Sequence, residues 1–238
     1  MVNEKRDQLI HQYSARGVPT EILDDYRIAV TVSDEIYELS FYESIIWYSC
    51  FFDSLSREDL LSRFHESCNK VNGGTCYSDY GKDFNKAFKR LKDDQLLCEG
   101  QADDRLDAIF DMFASADIRL VINSDNGIYG YTNGVIVNPE LSDYHYAVQT
   151  PKKTLPITDE EKAFMDMLNT ENWNIVEISR NFLKGFRSDI KRKQIPHENT
   201  NGMTEEEFIR TRYGNAPFSK VITLIALALL RKHRIILF

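Results

Sequence analysis

The sequence predicts an α+β fold, mainly α, arranged as two small domains with an N-terminal helical arm and a small β-meander. Three observations predict it. Apolar residues recur at spacings of three and four over most of the chain, the mark of amphipathic helices. Two Asn-Gly steps, Asn126-Gly127 and Asn133-Gly134, punctuate the region that reads as consecutive strands. An order of helix, capped helix, helix and strand in the first half returns approximately in the second. The expected division is 1–36 for the arm, 37–150 for the first domain with an added helix and the meander, and 151–238 for the second domain.

In the arm, Leu9, Ile10 and Tyr13 stand at helical spacing over residues 3–16, and Gly17, Val18 and Pro19 end that helix. Thr20 caps a second short helix carrying Ile22, Leu23 and Tyr26. Their apolar sides need cover, from the neighbouring domain or from a second chain. Tyr37 to Asp53 is apolar on most sides, as a central helix is, with Trp47, Phe51 and Phe52 in the core. Ser56 with Asp59 three positions later reads as a capping box, and Leu60, Leu61 and Phe64 supply the inward face. A loop through Asn72, Gly73 and Gly74 leads to a helix with Phe84, Ala87, Phe88 and Leu91 on one stripe and Lys82, Lys86 and Lys89 on the other. Asp93, Asp94 and Gln95 break that pattern, and Leu96, Leu97 and Cys98 read as a buried strand ended by Gly100.

Beyond Gly100, Leu106, Ile109, Phe110 and Phe113 mark another amphipathic helix, and IRLVIN, IYGY and VIVN make the meander. Residues 138–156, with Pro139, Pro151 and Pro156, read as a connection between domains. The second round opens with a helix from Thr158 to Leu168. Asn174, Glu177 and Phe182 then repeat the spacing of Ser56, Asp59 and Phe64. Phe218-Ser219-Lys220 matches Phe84-Asn85-Lys86, and the residues from Leu230 match those from Leu91 class by class. The last helix has no polar side, which predicts burial in a domain core or a subunit interface. Its interface candidates are Val221, Ile222, Leu224, Ile225 and Leu229.

A central helix, a capped helix, and a helix with a lysine outer stripe feeding straight into a strand resemble a winged helix. The second round resembles another copy. The resemblance implies a non-enzymatic, tandem winged-helix DNA-binding regulator that meets DNA through Lys82, Lys86, Lys89 and Arg90. A second basic cluster, including Arg187, Lys191, Arg192 and Lys193, is either a phosphate-contacting strip or a solvated loop. The alternative is an accessory subunit of a multi-protein complex, since acidic proteins with paired winged helices serve chromosome-structuring or plasmid- and phage-defence ATPases by gripping a partner chain.

Charge bears on both readings. The net charge is −8, but residues 1–150 hold 14 Lys and Arg against 26 Asp and Glu, a net of −12, while residues 151–238 hold 15 against 11, a net of +4. Screening limits each charge to roughly 8 Å in physiological salt, so an acidic total leaves room for a local basic face. With 42% hydrophobic residues in 238, the chain is outside the collagen-like, disulfide-dense and disordered classes. Its N-terminal residues lack a secretory apolar stretch, and its longest apolar run, Val221 to Leu230, is short of the roughly 20 residues that span a bilayer. A cytoplasmic location with no membrane partner is expected, and the partners are DNA and a protein chain, a second copy included.

Cys50, Cys68, Cys76 and Cys98 read as reduced thiols. His65, Cys68 and Cys76 lie close in sequence, but without a Cys-x-x-Cys pair they read as buried thiols and not as a zinc site. Gly-x-Ser-x-Gly, Gly-x-x-x-x-Gly-Lys and His-Glu-x-x-His motifs are absent from the sequence. Asp143 with Glu160 and Lys162 reads as acidic helix capping. No enzyme activity, cofactor or metal is expected.

Overall fold

A computed structural model describes residues 9–24, 27–71, 80–121, 157–168, 174–181 and 218–238. The meander beyond Val121, the connection at 138–156 and the cluster Arg187, Lys191, Arg192 and Lys193 lie outside them. The described chain mixes helices with small antiparallel sheets.

The first correction falls at the N-terminus. Where helices were expected over 3–16 and from Thr20, the chain forms strands β1 (Ile10–Ala15) and β2 (Val18–Asp24), followed by β3 (Arg27–Val32) and β4 (Glu35–Glu38). The expected helical arm of 1–36 is therefore β-structure in its described part. The physical reason is burial on both faces of β1. Gln12 and Ser14 are as buried as Tyr13 and Ala15, because each polar side chain finds a distant partner. Ser14 donates to the Cys50 carbonyl at 3.1 Å and Ser54 donates to Gln12 Oε1 at 3.1 Å. A strand buried this way shows no period of two, so the spacing of its few apolar residues resembled a helix.

β1 lies between two partners. It pairs antiparallel with β5 (Leu97–Ala102) along its whole length and bridges Leu55 on its other side through Tyr13, with N–H···O distances of 2.8 and 2.9 Å. The strand that the lysine-striped helix feeds into thus has its partner in β1. β2, β3 and β4 form a separate antiparallel sheet in that order. The β3–β4 turn places Ser33 and Asp34 at φ of 47° and 71°, the left-handed pair of a two-residue hairpin.

The helices begin where their caps stand. Ser40 precedes α1 (Phe41–Ser49), and Glu43 reaches back to accept from the Ser40 N–H at 2.7 Å. Tyr37, expected at the start of this helix, instead belongs to β4. Ser56 Oγ accepts from the Asp59 N–H at 3.1 Å and opens α2 (Arg57–Val71). α3 (Tyr80–Asp93) buries Phe84, Ala87, Phe88 and Leu91 against α1 and α2. α4 (Arg105–Ala114) is capped by Asp104, and α5 (Asp159–Leu168) by Thr158 with Glu161. Residues 175–181 are helical (α6) after Asn174, whose side chain accepts from the Val176 N–H at 2.8 Å. α7 (Phe218–Arg231) leads into β7 (Ile235–Leu237).

The α3–β5 and α7–β7 junctions share one backbone pattern. Gln95 and His233 are both left-handed, at φ of 55° and 56°. Leu96 N–H bonds back to Leu91 O at 2.8 Å, and Arg234 N–H to Leu229 O at 2.9 Å, the six-to-one closure of a helix end. This match aligns Leu91 with Leu229, one residue before the Leu230 that residue classes suggested.

Two clusters of buried side chains result. One gathers β1, β3 and α1 to α3 around Trp47, Phe51, Phe64 and Phe84. The other gathers α4 to α7, β7 and β6 (Ile118–Leu120) around Phe113, Phe164 and Ile222. β6 was expected to open a local meander, yet its described partner is β7, in the register Ile118 to Leu237. α4 and β6, expected with residues 37–150, share this second core with elements from 151–238. The clusters meet at Asp53, which accepts from Arg63 and Arg231 at 2.8 Å each, and at a ring stack of Phe52 on His233 with centroids 3.7 Å apart.

Candidate nucleic-acid interface

The outer stripe of α3 follows from its inner one. Because Phe84, Phe88 and Leu91 turn inward, the 3.6-residue period turns Lys82, Lys86 and Lys89 outward, and all three are exposed. Lys82 to Lys89 spans roughly 10 Å of helix axis. Asp93, also exposed, closes the stripe at its C-terminal end.

Arg90 occupies a different situation. Its guanidinium lies 3.2 Å from Glu43 Oε1 and 3.4 Å from Asp94 Oδ2. The Glu43 side chain is 5% exposed, so Arg90 neutralises the buried carboxylate that caps α1. Its partners are carboxylates of this chain, one of them buried. Lys92 is likewise engaged, with Glu99 at 2.6 Å and the Tyr13 ring 5.6 Å below its ammonium.

The structure adds a residue that sequence reasoning missed. Arg57, the first residue of α2, is exposed beside α3 with its guanidinium 5.5 and 5.7 Å from the Phe84 and Phe88 ring centroids, and it donates to the Asn85 side chain. Asn85 stands next to Lys86 and three residues after Lys82. Nothing in the local sequence of Arg57 marks this placement, because it depends on how α2 crosses α3.

Glu99, in β5, gathers three donors from β1 and α3. It accepts from His11 Nδ1 at 2.9 Å, Tyr13 at 2.8 Å and Lys92 at 2.6 Å. Burial pushes its pKa up, but the three hydrogen bonds outweigh burial and hold it below the ordinary carboxylate value. A carboxylate depressed in the folded state contributes stability that is complete above its unfolded pKa and is lost as pH falls through the folded one. The stability gap between wild type and Glu99→Gln, read from urea unfolding, is therefore expected to shrink on going from about pH 6 to about pH 3. A gap independent of pH would remove Glu99 from the acid response.

The remaining candidates are dispersed. Of the five interface candidates, Val221, Ile222 and Leu229 are buried within this chain's own second core, Ile225 is half-buried, and Leu224 is 50% exposed. The apolar run of α7 thus serves mainly its own core. Burial raises Cys68 and Cys98 to about 12 and raises Cys50 as well, so these thiols stay protonated at neutral pH. Cys76 lies outside the described residues. Among the described residues no group of three His, Cys, Asp or Glu side chains could hold a metal ion, and no helix is long and apolar enough to cross a membrane. No family model, no curated protein and no solved structure matches the chain.

Proposed function

We propose that this chain is a non-enzymatic DNA-binding protein of two winged-helix-like units, which meets the phosphate backbone through the outer face of α3. The observation that carries the reading is the exposed stripe Lys82, Lys86 and Lys89, set opposite a fully anchored apolar stripe and extended sideways by Arg57 and Asn85. Anchoring matters because a helix fixed by its apolar stripe holds the three lysine Cα positions in one row, so binding orders only the flexible side-chain stems. The paired-unit part of the reading draws support from the matched helix closures at Gln95 and His233 and from β1 lying between Leu55 and β5. In this proposal Arg90 positions the stripe through Glu43, and Arg57 joins the contact set.

The test is a binding titration on duplex DNA at several salt concentrations. Each lysine that meets a phosphate adds roughly 0.9 to the slope of log affinity against log salt, so replacing Lys82, Lys86 and Lys89 together by Gln is expected to lower the slope by about 2.7. Affinity should fall for every sequence tested. An unchanged slope and affinity in the triple variant would discard α3 as the interface.

A further inference from the structure

We propose that the open edge of β4 docks an extended, basic segment of a partner protein, which adds a fourth strand to the β2–β3–β4 sheet. β4 is the last strand of that sheet among the described residues. The two-residue turn at Ser33 and Asp34 closes on the pair Val32 and Glu35, so Glu35 and Tyr37 direct their main-chain groups to β3. The Leu39 N–H to Ile28 O bond at 2.9 Å continues that alternation. Ile36 and Glu38 accordingly direct their N–H and C=O groups away from β3.

The side chains of this edge define what fits it. Ile36 is 70% exposed, more than Leu9, Ile22 or Leu224. Asp34, Glu35 and Glu38 surround it and are exposed, and Glu21 lies on the same face as Glu38 across Ala29. The basic side chain among the described residues of these strands is Arg27, at the opposite end of β3 from the turn. Exposed edges are ordinarily guarded by charge, Pro, a bulge or short length; β4 is four residues long and its charge is acidic, it carries no Lys or Pro, and the register shifts of the sheet sit in β2. Glutamates also guard against self-pairing, since a second copy of β4 would set carboxylate against carboxylate. A strand alternating Lys or Arg with Val or Ile meets both requirements: main-chain bonds to Ile36 and Glu38, an apolar contact on Ile36 and ion pairs with the acidic rim. Only two outward-facing residues are offered, so affinity leans on the charges and weakens with salt. The surface uses neither the α3 lysines nor α7, and the inference stands apart from the DNA reading.

The experiment titrates a fluorescein-labelled heptapeptide alternating Lys and Val into the full chain and follows anisotropy at two salt concentrations. Saturable, salt-weakened binding is expected, together with at least a tenfold loss for Ile36→Pro, which removes one outward donor and leaves the β3 bonds of Glu35 and Tyr37 in place. If Ile36→Pro does not fold, Ile36→Lys serves, with the same tenfold loss expected. A peptide of equal charge with a central proline should not bind. Absent binding, equal binding of the proline peptide, or wild-type affinity in the folded Ile36 variant each overturns the proposal. Concentration-dependent dimers dispersed by Ile36→Lys would also overturn it and assign the edge to a second copy.

Discussion

Gly100→Ala is expected to lower the unfolding free energy by at least about 3 kcal/mol, read from urea unfolding followed by circular dichroism. Gly100 sits in β5 where α4 lies directly against the strand. A β-carbon there would fall inside the contact distance of the Ala108 carbonyl oxygen and the Met112 amide nitrogen, and 2.8 Å from Met112 Cα. All three are backbone atoms of a capped helix, so no side-chain rotation relieves the clash. The helix must lift from the sheet, and with it go the contacts of Ala108, Ile109 and Met112, which are buried. Gly81→Ala is the internal control. A β-carbon at Gly81 meets nothing within 4 Å. In the first turn of α3 the substitution should leave stability unchanged or raise it by up to about 1 kcal/mol. Equal effects at the two glycines would show that β5 and α4 do not approach as described.

Trp47→Ala is the second large effect, expected at about 3–5 kcal/mol in the same assay. Trp47 is completely buried, stacks on Phe51 with centroids 4.4 Å apart and meets the edge of Tyr48 at 5.5 Å. Its indole N–H also donates to the Arg16 carbonyl at 3.0 Å, which ties α1 to the end of β1. The truncation removes a large apolar volume and leaves that carbonyl without its partner. Trp47→Phe separates the two contributions. It keeps most of the packing and loses the hydrogen bond, so a cost of roughly 1–2 kcal/mol is expected. A Phe variant as damaged as the Ala variant would assign the effect to the hydrogen bond, and packing would be the lesser cause.

These two positions differ in how far the sequence revealed them. Trp47 was expected in a core because the run around it is apolar on most sides. Gly100 was expected only as the end of a strand, and its demand for close approach arises from α4, which follows it in sequence but packs back on β5. The same contrast runs through the outer face of α3. The division of α3 into an apolar stripe and a lysine stripe is legible in the spacing of Lys82, Lys86 and Lys89 against Phe84, Phe88 and Leu91. That Arg90 is held by Glu43, and that Arg57 stands beside Asn85, is not, since each pair joins separate helices.

The sequence by itself determined the local grammar of this protein. Ser56, Thr158 and Asn174 mark helix starts through side chains that bond their own neighbours, and α3 breaks at Asp93 to Gln95 within a few residues of the signals that break it. Apolar runs announced β5 and β6, at Leu96 to Cys98 and at IRLVIN, but tertiary structure alone decided β1 to β4 and the partner of every strand. β1 is a strand because β5 and Leu55 lie on its two sides and because Gln12 and Ser14 are satisfied by residues about forty positions away. β6 pairs with Ile235–Leu237 and not with the residues that follow it, which no local signal foretold. Helices satisfy their backbone within a few residues, so short-range spacing suffices to announce them. Strands satisfy theirs only across the fold, so their partners, and for a strand buried on both faces such as β1 their identity, wait for the rest of the chain.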